Sequence, residues 1–198
     1  MQFKSAFPDA LSLETEKVQL RLLTSTDFDS FHKISHTKSI WTYFTKDLSI
    51  EAELRQWVAD ALADKEAGRR YPFAIVEKET GKVCGSTSLG SISFYDRRIE
   101  IGWSWLGEEF MGTGFNKHAK FLLLQYAFEH VGIIRVEIKT DNLNERAKKA
   151  LAKIGATPEG VLRSHMQMFN NRRRDSIYYS ILNNEWPQIK ESIFKGIQ

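Results

Sequence analysis

The sequence predicts an α+β domain, with mostly antiparallel strands early and one strand–turn–helix–strand crossover late. Three observations carry this. Residues 98 to 106, RIEIGWSWL, alternate apolar and polar side chains as a strand does. Beyond the turn FMGTGFNKHAK, apolar residues recur at helical spacing at Phe115, Ala119, Leu122, Leu123, Tyr126 and Ala127. Gly132 closes that helix, and the strand-like run RVEIK, Arg135 to Lys139, follows it.

The remaining elements follow in order. VQLRLL, Val18 to Leu23, reads as a half-buried strand. Thr24 to Asp27 supply cap-type residues before a short helix, FDSFHKIS. A stronger helix follows Ser49, with Ile50, Leu54, Trp57, Val58, Ala61 and Leu62 on one face and Gly68 as its stop. Phe73 to Val76 and Lys82 to Leu89 flank EKETGK as a hairpin. In the strand 98 to 106, alternation puts Ile99, Ile101, Trp103 and Trp105 on one face. Glu100, Gly102 and Ser104 fall on the other, which is expected to line a cleft. After RVEIK, Asn142 with Glu145 three residues on suggests a box-like cap. Ala147, Ala150, Leu151 and Ile154 give the helix its buried stripe, and Gly155 ends it. Two strands, Gly160 to Phe169 and Asp175 to Leu182, join through NNRRR, and WPQIKESIF closes the chain as a helix.

The 198 residues suffice for one domain with a full core, expected to span 1 to 198 with its core at about 18 to 186. With 42% hydrophobic and 27% charged residues the chain reads as an ordinary soluble globular protein. A net charge of +3 gives no nucleic-acid footprint by itself and suits a small anionic ligand equally well. Cys84 stands alone, so no intrachain disulfide forms and a reducing cytoplasm is expected. Neither a signal-peptide run nor a membrane-length apolar segment is present, so no membrane partner is expected. The five histidines show no metal-ligand spacing, and no metal is expected. Arg172 to Arg174 read as a charged hairpin turn, and Cys84 as a small core residue.

The glycine turn poses the functional question. A Walker loop fails, because Thr113 and Gly114 stand where Lys and Ser/Thr belong. A dinucleotide turn fails, because Lys117 replaces its third glycine. A third loop, Q/R-x-x-G-x-G/A between strand and helix, matches at Gly112 and Gly114 but has Glu109 at its first position. It cradles the pyrophosphate of an acyl-CoA: glycines let the backbone approach, and N–H groups at a helix start face the anion. On the turn alone, a glycine joint that merely links strand to helix fits as well.

The wider pattern resembles the Gcn5-related N-acetyltransferases, the GNAT superfamily, and within it the branch of ribosomal-protein N-terminal acetyltransferases. The resemblance runs from about Val18 to Trp186. It is carried by LRLL, IEIGWSWL, GTGFNKHAKFLLLQYAFE, RVEIKTDNLNERAKKALAKIGATPEGVLR and RRRDSIYYSILNNEW, in that order. It implies a mixed, mostly antiparallel sheet flanked by helices, with two central strands splayed around acetyl-CoA. It implies acetyl transfer to an amine by direct attack, and it is compatible with a homodimer.

That chemistry needs a neutral amine, a polarised carbonyl and a proton for the leaving thiolate. An α-amine of pKa about 8 is roughly a tenth neutral at pH 7, whereas a lysine near 10.4 is neutral below about 0.1%. Glu100 is the candidate base, acting directly or through water. Backbone N–H groups near Trp105 and Leu106 would polarise the carbonyl. Gly112, Thr113, Gly114, Phe115, Asn116 and Lys117 would hold the pyrophosphate. The resemblance gives Asn144 the pantetheine arm, and Lys148 or Lys149 could reach the 3′-phosphate. The usual acids are missing, since Ala147 and Leu151 stand where the family often has Ser and Tyr. Ser164, His165 and Tyr178 are conceivable substitutes. The absence of the usual serine and tyrosine keeps open a different class, a non-catalytic acyl-CoA sensor. The acceptor loops would be Ser35 to Ser49, Ser91 to Arg98 and Asn170 to Arg174, the first with Trp41, Tyr43 and Phe44 and the second with Phe94 and Tyr95.

Overall fold

In the computed structural model, which describes residues 2 to 197, one eight-stranded sheet runs through the molecule. Its strands are β1 (Ser12–Glu14), β2 (Val18–Leu22), β3 (Arg70–Glu77), β4 (Val83–Ser93), β5 (Arg98–Leu106), β6 (Arg135–Asp141), β7 (Thr157–Gln167) and β8 (Arg173–Leu182), in the spatial order β1-β2-β3-β4-β5-β6-β8-β7. Among the described residues every neighbouring pair is antiparallel except β5 with β6. The helices are α1 (Phe3–Ala6), α2 (Phe28–Ser35), α3 (Glu51–Glu66), α4 (Phe115–Gln125), α5 (Glu145–Ala152) and α6 (Trp186–Ser192). A π-helical turn, Tyr126–Val131, continues α4, and Gly132 ends it at φ 73°.

Alternation along the strands sorts their side chains between two cores. Phe73 and Ile75 of β3 join Ile99, Ile101, Phe115, Ala119 and Leu122 on the α4 face. Ala74 and Val76 join Phe31, Trp41, Leu54 and Trp57 on the α2 and α3 face.

β5 occupies the predicted residues, but its face assignment changes halfway. Ser88 pairs Gly102 and Ser86 pairs Trp105, so β5 carries one extra residue there. Trp103 takes φ 52° in this bulge. A bulge inverts the alternation beyond it. Ile99 and Ile101 therefore lie in the α4 core, while Trp105 lies in the α2–α3 core, 5.1 Å from Trp41 and 5.3 Å from Phe31. Trp103 packs against that second core too. Its ring packs on Gly90, where a Cβ would stand 2.5 Å from Cζ3. The expected single face of four apolar residues is thus split between two cores. Ser104 likewise parts from Glu100 and points toward α4.

Other expectations shift modestly. Asn144, not Asn142, caps α5, its side chain accepting from Ala147 N at 3.0 Å. β7 runs from Thr157 to Gln167 and β8 begins at Arg173, so the turn between them lies two residues earlier than expected and Arg173 and Arg174 belong to β8. β1 and α1 are too short to leave a periodic signature.

Candidate active site

The parallel pair β5–β6 holds for only Arg98, Ile99 and Glu100, opposite Arg135, Val136 and Glu137. Beyond Glu100 the strands part. β6 continues against β8 to Asp141, and β5 continues against β4 to Leu106. The β6-facing backbone of residues 101 to 106 therefore has no strand partner, although such groups call for one. Trp105 and Leu106 are 4% and 9% exposed, so they offer this edge backbone rather than side chain.

Glu100 sits at the apex of the divide, buried at 5% exposure. Lys139 of β6 donates to both its oxygens, at 2.7 and 2.6 Å, and Ser91 donates to Oε2 at 3.2 Å. Gly102 leaves room beside the carboxylate, since a Cβ there would stand 3.0 Å from Oε1. The Lys139 ammonium also lies 5.6 Å from the Tyr178 ring, and Tyr178 packs 5.8 Å from His165. Burial, then Lys139 and Arg174, hold the His165 imidazole below its ordinary pKa, and its Nδ1 is buried without a partner. Glu100, Lys139, Tyr178 and His165 thus share one face. Ser164 does not join them. It is exposed, and its hydroxyl accepts from Arg173 Nε at 3.0 Å.

The glycine turn lies at the open end of β5. A 3-10 turn, Glu108–Phe110, leads to Gly112 at φ 80° and Gly114 at φ 94°, and α4 begins at Phe115. Both values are conformations that L side chains rarely adopt, and a Cβ at either glycine would meet no heavy atom within 4 Å. Thr113 Oγ1 donates to Phe110 O at 2.7 Å and fixes the turn. The Phe115 ring is buried and stacks 6.0 Å from Phe110, and its backbone N–H donates to Thr113 Oγ1 at 3.5 Å. Asn116 is half-buried on the first turn of α4. The Lys117 ammonium sits 5.8 Å from the Phe194 ring rather than over the turn.

Across the divide, α5 contributes Asn144, Arg146 and Lys149. Asn144 is 9% exposed and its Oδ1 is occupied by the cap, which leaves its amide N–H₂. Lys148 pairs with Glu145 at 2.5 Å, while Lys149 is exposed. Sequence reasoning missed Arg146. Its guanidinium reaches Met111 Sδ at 3.2 Å, which sets a cation beside Gly112. It missed Lys139 as well, whose pairing with Glu100 depends on which strand lies next to β5.

The expected acceptor loops divide into packed and exposed parts. Trp41 is fully buried, donates to Ser35 O at 2.7 Å and meets Phe44 edge-on. Tyr95 is 97% exposed. Arg172 pairs with Asp141, Arg173 binds Ser164 and Arg174 donates to Ser176 Oγ, so the arginine turn is knit into the sheet. Among the described residues no group of three or more metal-ligating side chains occurs, and no helix is long and apolar enough to cross a membrane.

The family model for the acetyltransferase (GNAT) domain matches residues 17–157. YdaF of Bacillus subtilis (strain 168), which bears the name of a ribosomal N-acetyltransferase, is 30% identical over 183 residues, covering 86% of this chain and 94% of that one. The spermidine N(1)-acetyltransferase of Escherichia coli (strain K12) is 26% identical over 170 residues, covering 85% of this chain and 88% of its own. A crystal structure of a GCN5-related N-acetyltransferase from Brucella melitensis superposes with a TM-score of 0.85 at 28% identity, covering 94% of this chain and 85% of that one.

Proposed function

The chain belongs to the GNAT acetyltransferase family, and on that premise we propose that it moves the acetyl group of acetyl-CoA onto a primary amine, with a peptide or protein N-terminal α-amine as acceptor. One observation carries the reading. β5 leaves β6 at Glu100 and presents an unpaired backbone edge, next to a turn whose two left-handed glycines expose the start of α4. An extended amide-bearing arm can pair with the first, and a diphosphate can sit on the second.

The residues divide the work as follows. The N–H groups of Gly112, Thr113, Gly114 and Asn116 hold the pyrophosphate, those of Phe115 and Lys117 being engaged within the turn, with Arg146 adding charge and Lys149 on α5. The Asn144 amide and the free edge near Trp105 and Leu106 hold the pantetheine arm, and N–H groups on that edge polarise the acyl carbonyl. Acetyl-CoA supplies the activated acyl group. Glu100 takes the proton from the attacking amine. Lys139 and Ser91 fix its carboxylate, which keeps lone pairs toward the space above Gly102.

The acceptor assignment has two supports. A relative of 30% identity bears a ribosomal N-acetyltransferase name. The face around Glu100 also carries Lys139 and Arg174, and its carboxylates are already paired, Glu100 with Lys139, Glu137 with Arg98 and Arg135, and Asp141 with Arg172. A polyamine carries several positive charges and would find no surplus of carboxylates there, whereas a peptide N-terminus brings a single one.

Free-thiol release from acetyl-CoA against an amine panel tests this. Peptides with free N-termini should release thiol, and N-terminally blocked lysine peptides, polyamines and aminoglycosides should do so far more slowly. Preferential turnover of spermidine would overturn the acceptor assignment. Gly112→Val should remove CoA binding, because a β-branched residue resists φ 80° and fills the approach to the backbone. Calorimetric titration with CoA checks this, alongside a melt to show that the fold persists. Arg146→Ala should raise KM for acetyl-CoA about tenfold, the equivalent of about 1.4 kcal/mol, with kcat unchanged.

A further inference from the structure

Lys120 is a buried cation of α4. It is 4% exposed, and its ammonium donates to Ser104 Oγ at 2.7 Å. Ser104 Oγ in turn shares a hydrogen bond of 2.7 Å with Thr87 Oγ1 on β4 and approaches Gly102 O at 3.3 Å. No carboxylate accompanies it in the salt bridges of the described residues. Among the described residues Ser104 of β5 meets it directly, Thr87 of β4 stands behind that serine, and no imidazole or second cation perturbs it. Burial alone lowers its pKa to about 7. A lysine stem in an apolar helix face ordinarily carries its charge out to water, and this one ends on a serine instead.

The location of that serine matters. Ser104 follows the bulge at Trp103 and lies on the stretch of β5 that β6 leaves unpaired. This is the stretch assigned above to the acyl carbonyl and the arm next to it. The sulfur is bonded directly to the acyl carbon, so it comes to the same stretch. The acids usual in this fold are missing, with Ala147 and Leu151 at their places.

We propose that Ser104, recharged by Lys120, delivers the proton that the leaving thiolate takes up. As the amine nitrogen bonds to the acyl carbon, the C–S bond breaks and its electron pair stays on sulfur. The Ser104 O–H proton passes to sulfur, and a Lys120 N–H proton passes to Ser104 Oγ. Lys120 ends as a neutral amine. The proton lost by the attacking amine leaves through Glu100, and solvent reprotonates Lys120 once the products depart. Ser104 touches the leaving group, and Lys120 is the positioning residue behind it. The direction is favourable, because an acid of pKa about 7 outranks a thiol of about 8.5. This inference rests on the acetyl-transfer reading.

Lysine-specific ¹³Cε NMR of the intact protein, with Lys120→Met to assign the signal, tests it apart from turnover. The Lys120 signal should titrate near neutrality and should shift when CoA is added but not when desulfo-CoA is added. A titration above pH 9, or equal shifts with both compounds, would overturn the proposal even if the enzyme acetylates amines. In turnover, Lys120→Met and Ser104→Ala should each lower kcat roughly 100-fold, the lower end for general acids, with KM for acetyl-CoA little changed. Lys120→Arg keeps the charge but holds its protons, so it should be as slow as Lys120→Met. Recovery of kcat in the arginine variant would assign Lys120 a purely electrostatic role and refute proton supply. Absence of thiol release with every amine would instead refute the acetyl-transfer reading, while the titration and CoA shift would still report on Lys120.

Discussion

Lys120→Met should make the protein more stable at neutral pH while making it slower. The ammonium is fully enclosed and its pKa falls from 10.5 to about 7 with burial as the sole cause. At about 1.36 kcal/mol per unit, that gap corresponds to roughly 5 kcal/mol spent on holding a cation in the folded state. Below pH 7 the group is charged folded and unfolded, and the cost is full. Between pH 7 and 10.5 the unfolded chain binds the extra proton, so stability climbs with pH. Above 10.5 the cost has gone. Methionine has a similar unbranched shape and no charge, so the variant should gain roughly 2–4 kcal/mol at pH 6 to 7, the range seen when buried ions give way to apolar groups. The gain should shrink steadily toward pH 10. Urea unfolding of both proteins at pH 6, 7, 8.5 and 9.5 measures this. A variant less stable at pH 6, with the same pH slope as the parent, would show that Lys120 is not held at a cost. A stabilising substitution that costs turnover is what a group retained for its chemistry predicts.

Much of this fold was legible because its strands and helices carry strong periodicity. β5 emerged with both ends correct, since nine residues of alternation leave little choice of boundary. The turn after it was legible through its glycines, and both take the left-handed conformation that makes glycine necessary. The bulge was not legible. Nothing in GWSW marks one extra residue, and that residue decides which core receives Trp105 and which face receives Ser104. Pairing across β5 and β6 was hidden for another reason. Glu100 and Lys139 lie 39 positions apart, and they meet only because a parallel crossover puts those strands side by side. Lys120 left a faint trace. It interrupts the run from Ala119 to Leu124, all of it buried, but a cation beside an apolar stripe usually snorkels outward. The cap of α5 falls on Asn144 rather than Asn142, and it engages the side-chain oxygen while leaving the amide N–H₂.

The largest loss of turnover should come from Glu100→Gln. A general base contributes about 10²–10⁴-fold, and the deficit should be greatest at low pH, where the amine is most protonated. The structure adds a complication, because the same substitution strips Lys139 of a carboxylate held through both oxygens. The pair is mostly buried, with Lys139 20% and Glu100 6% exposed at the side chain. Breaking such a pair costs about 3–5 kcal/mol when fully enclosed. Lys139 retains some solvent, so about 2 kcal/mol is expected here. A fall in activity could then reflect a disturbed β5–β6 junction rather than a lost base. The double variant Glu100→Gln/Lys139→Met separates the two, because it removes the stranded ammonium. If Glu100 is the base, the double variant should regain most of the lost stability and none of the lost turnover, and its rate should keep the steeper fall toward low pH. If the carboxylate only anchors Lys139, stability and turnover should return together. If Glu100 is the base, the residue at which the sheet opens is also the residue that deprotonates the acceptor, and the double variant is the measurement that separates those two roles.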